Sequence, residues 1–237
     1  IKEIKKVLKN KKNVHYFASD KNNFKILEIK RLKTNINVKL KYLNKEYNYS
    51  FENTPLFQIE NLFLSFYSLV ALGFSFYKIS KVLRFMPQIP GRMQFVAHKK
   101  TNKAKVFVDF AHTPDALEKI LIEARKMTIG DVHLLFGCGG DRDRSKRKKM
   151  GSISIRYADH IIVTDDNPRY ENPKKIRNEI ICNFKSIINI PSRRVAIKKS
   201  INDLKQNDLL IIAGKGHEKY QIIRGIYHEF DDVKIAK

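Results

Sequence analysis

Apolar and polar side chains alternate in Phe24-Lys25-Ile26-Leu27-Glu28-Ile29 and again in Val38-Lys39-Leu40-Lys41-Tyr42-Leu43. A period of two turns one face of an extended segment inward, so residues 1 to about 55 read as β-hairpins with Asn/Lys turns. From residue 58 to about 72 the spacing becomes helical, with Gly73 placed as a C′ stop. A second helix is expected from about 75 to 84. Pro87, Pro90 and Gly91 then form a stiff linker, and we expect a domain boundary there, separating 1–90 from 91–237.

Beyond the linker, strands alternate with helices, the pattern of a parallel sheet. Strands are predicted at 105–109, 132–136, 160–164 and 208–213. Thr113 is suited to cap a helix that begins at Pro114, with Asp115 in its first turn and Leu117, Ile120, Leu121 and Ala124 as its apolar face. Further helices are expected over 145–157, from Pro173 with Ile176, Ile180 and Ile181, and from Ser192 to about Leu204. The tail, 220–230, reads as a hairpin turning at Arg224-Gly225. The expected class is α/β, with a Rossmann-like, mostly parallel sheet in the second domain.

Composition narrows this picture little. The chain has 237 residues, 43% hydrophobic, enough for one large domain or two modest ones. Forty-seven Lys and Arg against 24 Asp and Glu give a formal charge of +23. Such an excess suits nucleic acid or an anionic membrane. Here it is spread along the chain instead of forming one stripe, so compositional drift accounts for it and no nucleic-acid partner is expected. The uncharged run 62–77 is short of the roughly 20 residues of a membrane span and reads as a buried helix pair. Two distant cysteines, Cys138 and Cys182, fit free thiols in a reducing cytoplasm. Cys138 lies in a glycine loop, where a small turn residue is the better reading than a nucleophile. Neither a signal peptide nor a metal-ligand spacing is present, and a chain beginning at Ile1 reads as part of a longer product.

The chemistry gathers at four strand ends: Asp109 and His112; Gly137-Cys138-Gly139-Gly140-Asp141-Arg142-Asp143-Arg144; Asp165-Asp166-Asn167-Pro168-Arg169; and Gly214-Lys215-Gly216-His217-Glu218. Each alone has a bland explanation as helix entry or turn. In an open α/β sheet, however, ligands bind beyond the carboxyl ends of the strands. Glycines, fixed arginines and carboxylates converging there suit a small, doubly charged substrate.

Those four clusters, with Asp109-Phe110-Ala111-His112-Thr113-Pro114-Asp115 and Phe230-Asp231-Asp232, together resemble the Mur ligase family, and within it the members that add 2,6-diaminopimelate. Pro90-Gly91-Arg92-Met93 resembles the hinge before the family's C-terminal domain. Phe57, Gln58 and Asn61 resemble the end of its central α/β ATPase domain, which assigns 1–90 to that domain and 91–237 to the C-terminal one. The resemblance implies an ATP- and Mg²⁺-dependent amide ligase of peptidoglycan precursor synthesis in the cytoplasm. Such an enzyme joins meso-diaminopimelate to UDP-MurNAc-L-Ala-D-Glu through an acyl phosphate, behind domains that close to keep out water.

By that resemblance Arg169 pairs with the distal carboxylate of diaminopimelate as a planar fork, within the motif Asp166-Asn167-Pro168-Arg169. Arg142 is a second carboxylate contact, and Gly214 and Glu218 hold the distal ammonium end. Asn61 contacts adenine, while Arg92, Asp109 and His112 approach ribose and phosphates, so His112 is a nucleotide contact and not a general base. The family's P-loop, G-x-x-x-x-G-K-[ST], is not found in these 237 residues, nor are its carbamylated lysine, its metal ligands or its UDP-sugar domain. The expectation is therefore a fragment with no catalytic or metal-binding residue of its own, inactive alone. The alternatives are a folylpolyglutamate synthase-like ligase, a remnant that binds diaminopimelate or another anion without ligating it, and a basic nucleic-acid-binding module.

Overall fold

The computed structural model describes residues 24–32, 35–83, 85, 88–99 and 101–237. The chain forms two compact units, Ile1–Met86 and Pro87–Lys237. Within the first, three antiparallel strands run in order: β1 (Phe24–Arg31), β2 (Asn35–Tyr42) and β3 (Lys45–Glu52). Alternation places Ile36, Val38 and Leu40 of β2 on one buried face. Helix α1 (Leu56–Ala71) buries Ile59, Phe63, Phe66 and Tyr67, an i, i+4, i+7, i+8 stripe. Helix α2 (Phe76–Leu83) buries Phe76, whose ring stacks on Tyr42 with centroids 3.9 Å apart. Leu72 and Gly73 end α1, and Gly73 has a φ of +91°, which a side chain would resist.

The hairpins and both helices match the pattern read from sequence. The expected hairpin residues before Phe24, and Arg84 and Pro87 of the expected second helix and linker, lie outside the described residues. One expectation is corrected. The run 62–77 is not a buried pair, because Leu64, Leu69, Leu72, Phe74 and Tyr77 are exposed. An uncharged run has no polar face to reveal which side turns outward, so its burial was over-read.

The second unit is built on a six-stranded sheet: β4 (Gln94–His98), β5 (Lys105–Asp109), β6 (Val132–Phe136), β7 (His160–Val163), β8 (Ile187–Asn189) and β9 (Leu209–Ala213). Its spatial order is β4-β5-β9-β6-β7-β8. All neighbouring pairs are parallel except the edge pair β4–β5. The crossovers are α3 (Pro114–Met127), α4 (Ser145–Tyr157), α5 (Pro173–Ile181) and α6 (Arg193–Asp203). Strand β6 is buried at every position, as expected of a strand covered on both faces. Thr113 caps α3, its hydroxyl accepting from the Ala116 N–H, and Ser192 caps α6 through the Val195 N–H.

Hairpin β10 (Tyr220–Ile223) with β11 (Ile226–Glu229) stands apart from the main sheet, and α7 (Asp232–Ala236) closes the chain. Three elements escaped the pattern reading: β4, β8 and α7. The first lies at a sheet edge, and the other two are three and five residues long, too short for a period to register. Among the described residues, no helix is long and apolar enough to cross a membrane.

Candidate functional site

Parallel register decides which loops meet. Asp109 pairs with Ala213, Leu135 with Ile212, and Phe136 with Val163, so β5, β9, β6 and β7 end side by side. The loops leaving them are the four polar clusters. Three of those clusters interlock in a single network.

The segment 166–169 is the centre of that network. The Gly140 N–H donates to the Asn167 carbonyl at 2.9 Å. Gly140 presses so closely on the Pro168 carbonyl oxygen that a Cβ there would collide with it. On the other side, strand β10 supports the same segment. Gln221 Nε2 donates to the Asp166 carbonyl at 2.6 Å, and the Ile222 N–H donates to Asn167 Oδ1 at 3.0 Å. The Arg169 N–H donates to the Ile222 carbonyl at 3.0 Å, and the Arg224 N–H donates to the Arg169 carbonyl at 2.7 Å. Arg169 is held at a φ of +51°, a left-handed conformation that a non-glycine residue keeps only when its surroundings impose it.

The side chains of the network separate by charge. Arg169 Nη1 donates to the carbonyls of Gly140 at 2.9 Å and Asn167 at 3.4 Å, while its Nε and Nη2 make no hydrogen bond with the described residues. Arg142 is exposed, its Nη1 donating to the Asp141 carbonyl. Asp166 is buried, with Oδ1 accepting from the Asn167 N–H and Oδ2 lying over Gly214. Glu218, 22% exposed, accepts from Asn167 Nδ2 at 2.9 Å and Lys215 Nζ at 3.2 Å, both on Oε2. Two guanidinium groups and two carboxylates thus border one loop cluster, an arrangement that can hold a zwitterion from both ends.

The fourth cluster is joined to this one through Lys215-Gly216-His217. Gly91, at a φ of +66°, lies against the Gly216-His217 backbone so tightly that a Cβ would clash with it. Phe110 sits beside Gly216; the Arg92 guanidinium lies 4.9 Å from the centre of its ring, and the His217 ring 5.3 Å away. His112 is exposed and its Nδ1 bonds the Phe110 carbonyl at 2.9 Å. Asp109 faces inward: its two oxygens accept from the Met93 and Ala111 N–H groups, each at 2.6 Å. Burial pushes its carboxyl up from the usual carboxylate value, against the pull of those two bonds and of Arg92. Asp109 therefore orders the loops on which Arg92 and His112 stand.

Cations, an aromatic ring and imidazoles suit the outer side of a nucleotide. No group of three or more His, Cys, Asp or Glu able to hold a metal occurs among the described residues. Asn61 is exposed on α1, in the first unit. Cys138 is buried, its thiol pushed up to about 12 by that burial, and its Sγ lies 3.6 Å from Met150 Sδ. That is the environment of an inert, space-filling thiol.

Sequence reasoning missed four contributors. Lys215 was quoted within its motif without a role. Gln221, Arg193 and Glu171 carried no signal, because each acts on partners distant in the chain. Arg193 is fully buried, binding both oxygens of Asp232 and the Ala213 carbonyl. Glu171 takes Arg147, at 2.8 Å, and the Asp141 N–H on the same loop.

Comparison with known proteins gives the family and the fold. The family described as Mur ligase, glutamate ligase domain matches residues 91–216. The chain belongs to the Mur ligase family. It is 41% identical over 240 residues to the UDP-N-acetylmuramoyl-L-alanyl-D-glutamate--2,6-diaminopimelate ligase of Rickettsia bellii, covering all of this chain and 50% of that protein. The ligase of the same name from Haemophilus influenzae is 42% identical over 183 residues, 76% of this chain and 37% of that one. The chain spans about half the length of the curated relatives it matches. A solved structure of a ligase of that name superposes with a TM-score of 0.68 at 29% identity, over 98% of this chain and 49% of that one. A folylpolyglutamate synthase from Thermotoga maritima gives a TM-score of 0.64 at 21% identity, over 90% of this chain and 48% of that one, which shows the shared fold alone.

Proposed function

We propose that these 237 residues are the substrate-reading half of an ATP-dependent ligase that adds meso-diaminopimelate to UDP-MurNAc-L-Ala-D-Glu, in the cytoplasm, during peptidoglycan precursor synthesis. The observation that carries this reading is the placing of Arg169, whose Nε and Nη2 bond none of the described residues, and of Asp166 and Glu218 on one interlocked loop cluster. Diaminopimelate offers an ammonium and a carboxylate at its distal end. Arg169, assisted by Arg142, takes the carboxylate, and Glu218 beside Gly214 takes the ammonium. Asp166, Asn167 and Pro168 form the rigid segment that fixes the distance between them. Anchored there, the free amine at the other end is directed at the carbonyl it must attack.

Arg92, Asp109 and His112 belong to the nucleotide side of this reading, with Asn61 at the adenine. ATP supplies the phosphoryl group that activates the carboxylate. The residues here contribute orientation. The first unit is read as the end of the family's central ATP-binding domain. Thermal unfolding of the chain with meso-diaminopimelate and with lysine tests the substrate. A rise in Tm with the first and little or none with the second is expected, because lysine lacks the carboxylate that Arg169 holds. Equal responses would sink the Arg169 assignment.

A further inference from the structure

Lys215 belongs to the loop cluster and has no part in the amino-acid reading above. Its side chain is fully buried. A buried ammonium is expensive unless its donors are taken up, and it has three. One goes to Asn167 Oδ1 at 3.0 Å and one to Glu218 Oε2 at 3.2 Å, while the ring of Tyr220 lies 5.8 Å from the nitrogen. Glu218 is the proposed ammonium contact, and Asn167 belongs to the rigid segment beside it.

The consequence concerns the direction of the Asn167 amide. Its Oδ1 receives two donors, Lys215 Nζ and the Ile222 N–H, so the amide has one satisfactory orientation, with Nδ2 toward Glu218 Oε2. A flip would set Oδ1 against the carboxylate and Nδ2 against two donors. Glu218 Oε2 in turn takes both Nδ2 and Nζ, which leaves Oε1 without a hydrogen bond to the described residues. One cation thus bonds both the amide and the carboxylate, beside the Ile222 N–H that also holds the amide.

We propose that Lys215 is a positioning residue for the amino-acid substrate, locking the Asn167 amide so that Glu218 presents one carboxylate oxygen to the substrate's ammonium. This rests on the substrate reading above and goes beyond it, since Lys215 touches no substrate. It acts on specificity through Glu218, which does, and through Asn167, which braces Glu218.

The test uses the complete gene product, assayed for ATP-dependent ligation with meso-diaminopimelate and with lysine. Kinetics are compared for the wild type, Lys215→Met, Asn167→Ala and the double variant. Lys215→Met is expected to raise KM for diaminopimelate about tenfold or more, with KM for ATP unchanged. The double variant is expected to be no worse than Asn167→Ala alone, because residues acting through one network are not additive. A purely structural lysine would lower Tm and disturb both substrates alike. An unchanged KM in Lys215→Met, or fully multiplicative losses in the double variant, overturns the proposal while leaving the substrate reading intact. A wild type that uses lysine as well as diaminopimelate overturns both. If Lys215→Met does not fold, Lys215→Gln, polar but unable to reach both partners as a cation, is expected to show the same KM rise, and an unchanged KM there is equally fatal.

Discussion

Arg169 and Lys215 carry the same charge in one loop cluster and do different work. The guanidinium keeps Nε and Nη2 free of hydrogen bonds to the described residues on a planar group, whereas the ammonium is a buried point charge bound to two side chains. The two cysteines differ in the same environmental way. Burial holds the Cys138 thiol up at about 12, while Cys182 is exposed at the end of α5. Below that value Cys138 stays protonated and shielded, so alkylation of the native chain with iodoacetamide at mildly alkaline pH is expected to label Cys182 alone. Mass spectrometry of the modified peptides reads this directly. Labelling of Cys138 at a comparable rate without denaturant would contradict its assignment as a buried filler.

Among elements, the short α7 has a stabilising role out of proportion to its five residues. Asp232, at its first position, forms a fully buried pair with Arg193 at the start of α6, and Arg193 Nη2 also donates to the carbonyl of Ala213, the last residue of β9. The chain terminus is thereby tied to the strand end from which Gly214 and Lys215 depart. Asp232→Asn leaves a buried guanidinium without its counter-charge, a change that costs about 3–5 kcal/mol. Urea unfolding is expected to show that loss as a lower midpoint. A shift within experimental error would mean that the pair contributes nothing net. Arg193 and Asp232 are 39 residues apart and lie on helices of 11 and five residues. No local pattern could have joined them.

For the whole molecule, Glu171, which ties a loop to a helix, contributes to the acid response. The hydrogen bond from Arg147 comes first among the causes that hold Glu171 down to about 2, aided by the Asp141 N–H and by Arg144. A carboxyl with its folded pKa lowered contributes stability that is fully present above the ordinary carboxylate range and is lost as pH falls toward the folded value. Urea midpoints measured from neutral pH down to about 2 should therefore fall more steeply in wild type than in Glu171→Gln, which has no such proton to gain. Parallel curves would show that Glu171 is not part of the acid response. Arg147 and Glu171 are both nearly inaccessible and join α4 to the loop that carries Arg169. This acid response thus reports on the site as well as on the core.

The sequence by itself determined the strands of the sheet interior, the capped starts of α3 and α6, and the four polar clusters. Each is a local matter of period, cap or turn, readable within a dozen residues. Their meeting at one sheet edge followed from a general property of parallel sheets. Only the tertiary structure decided how they interlock. Strand β9, late in the chain, inserts between β5 and β6 and brings Lys215 and Glu218 to Asn167, about 50 residues earlier in sequence. Lysines are mostly exposed, so nothing local to Gly214-Lys215-Gly216 announces a fully buried one. Burial of a charge becomes favourable only when partners from elsewhere in the chain satisfy it, and the fold alone supplies them.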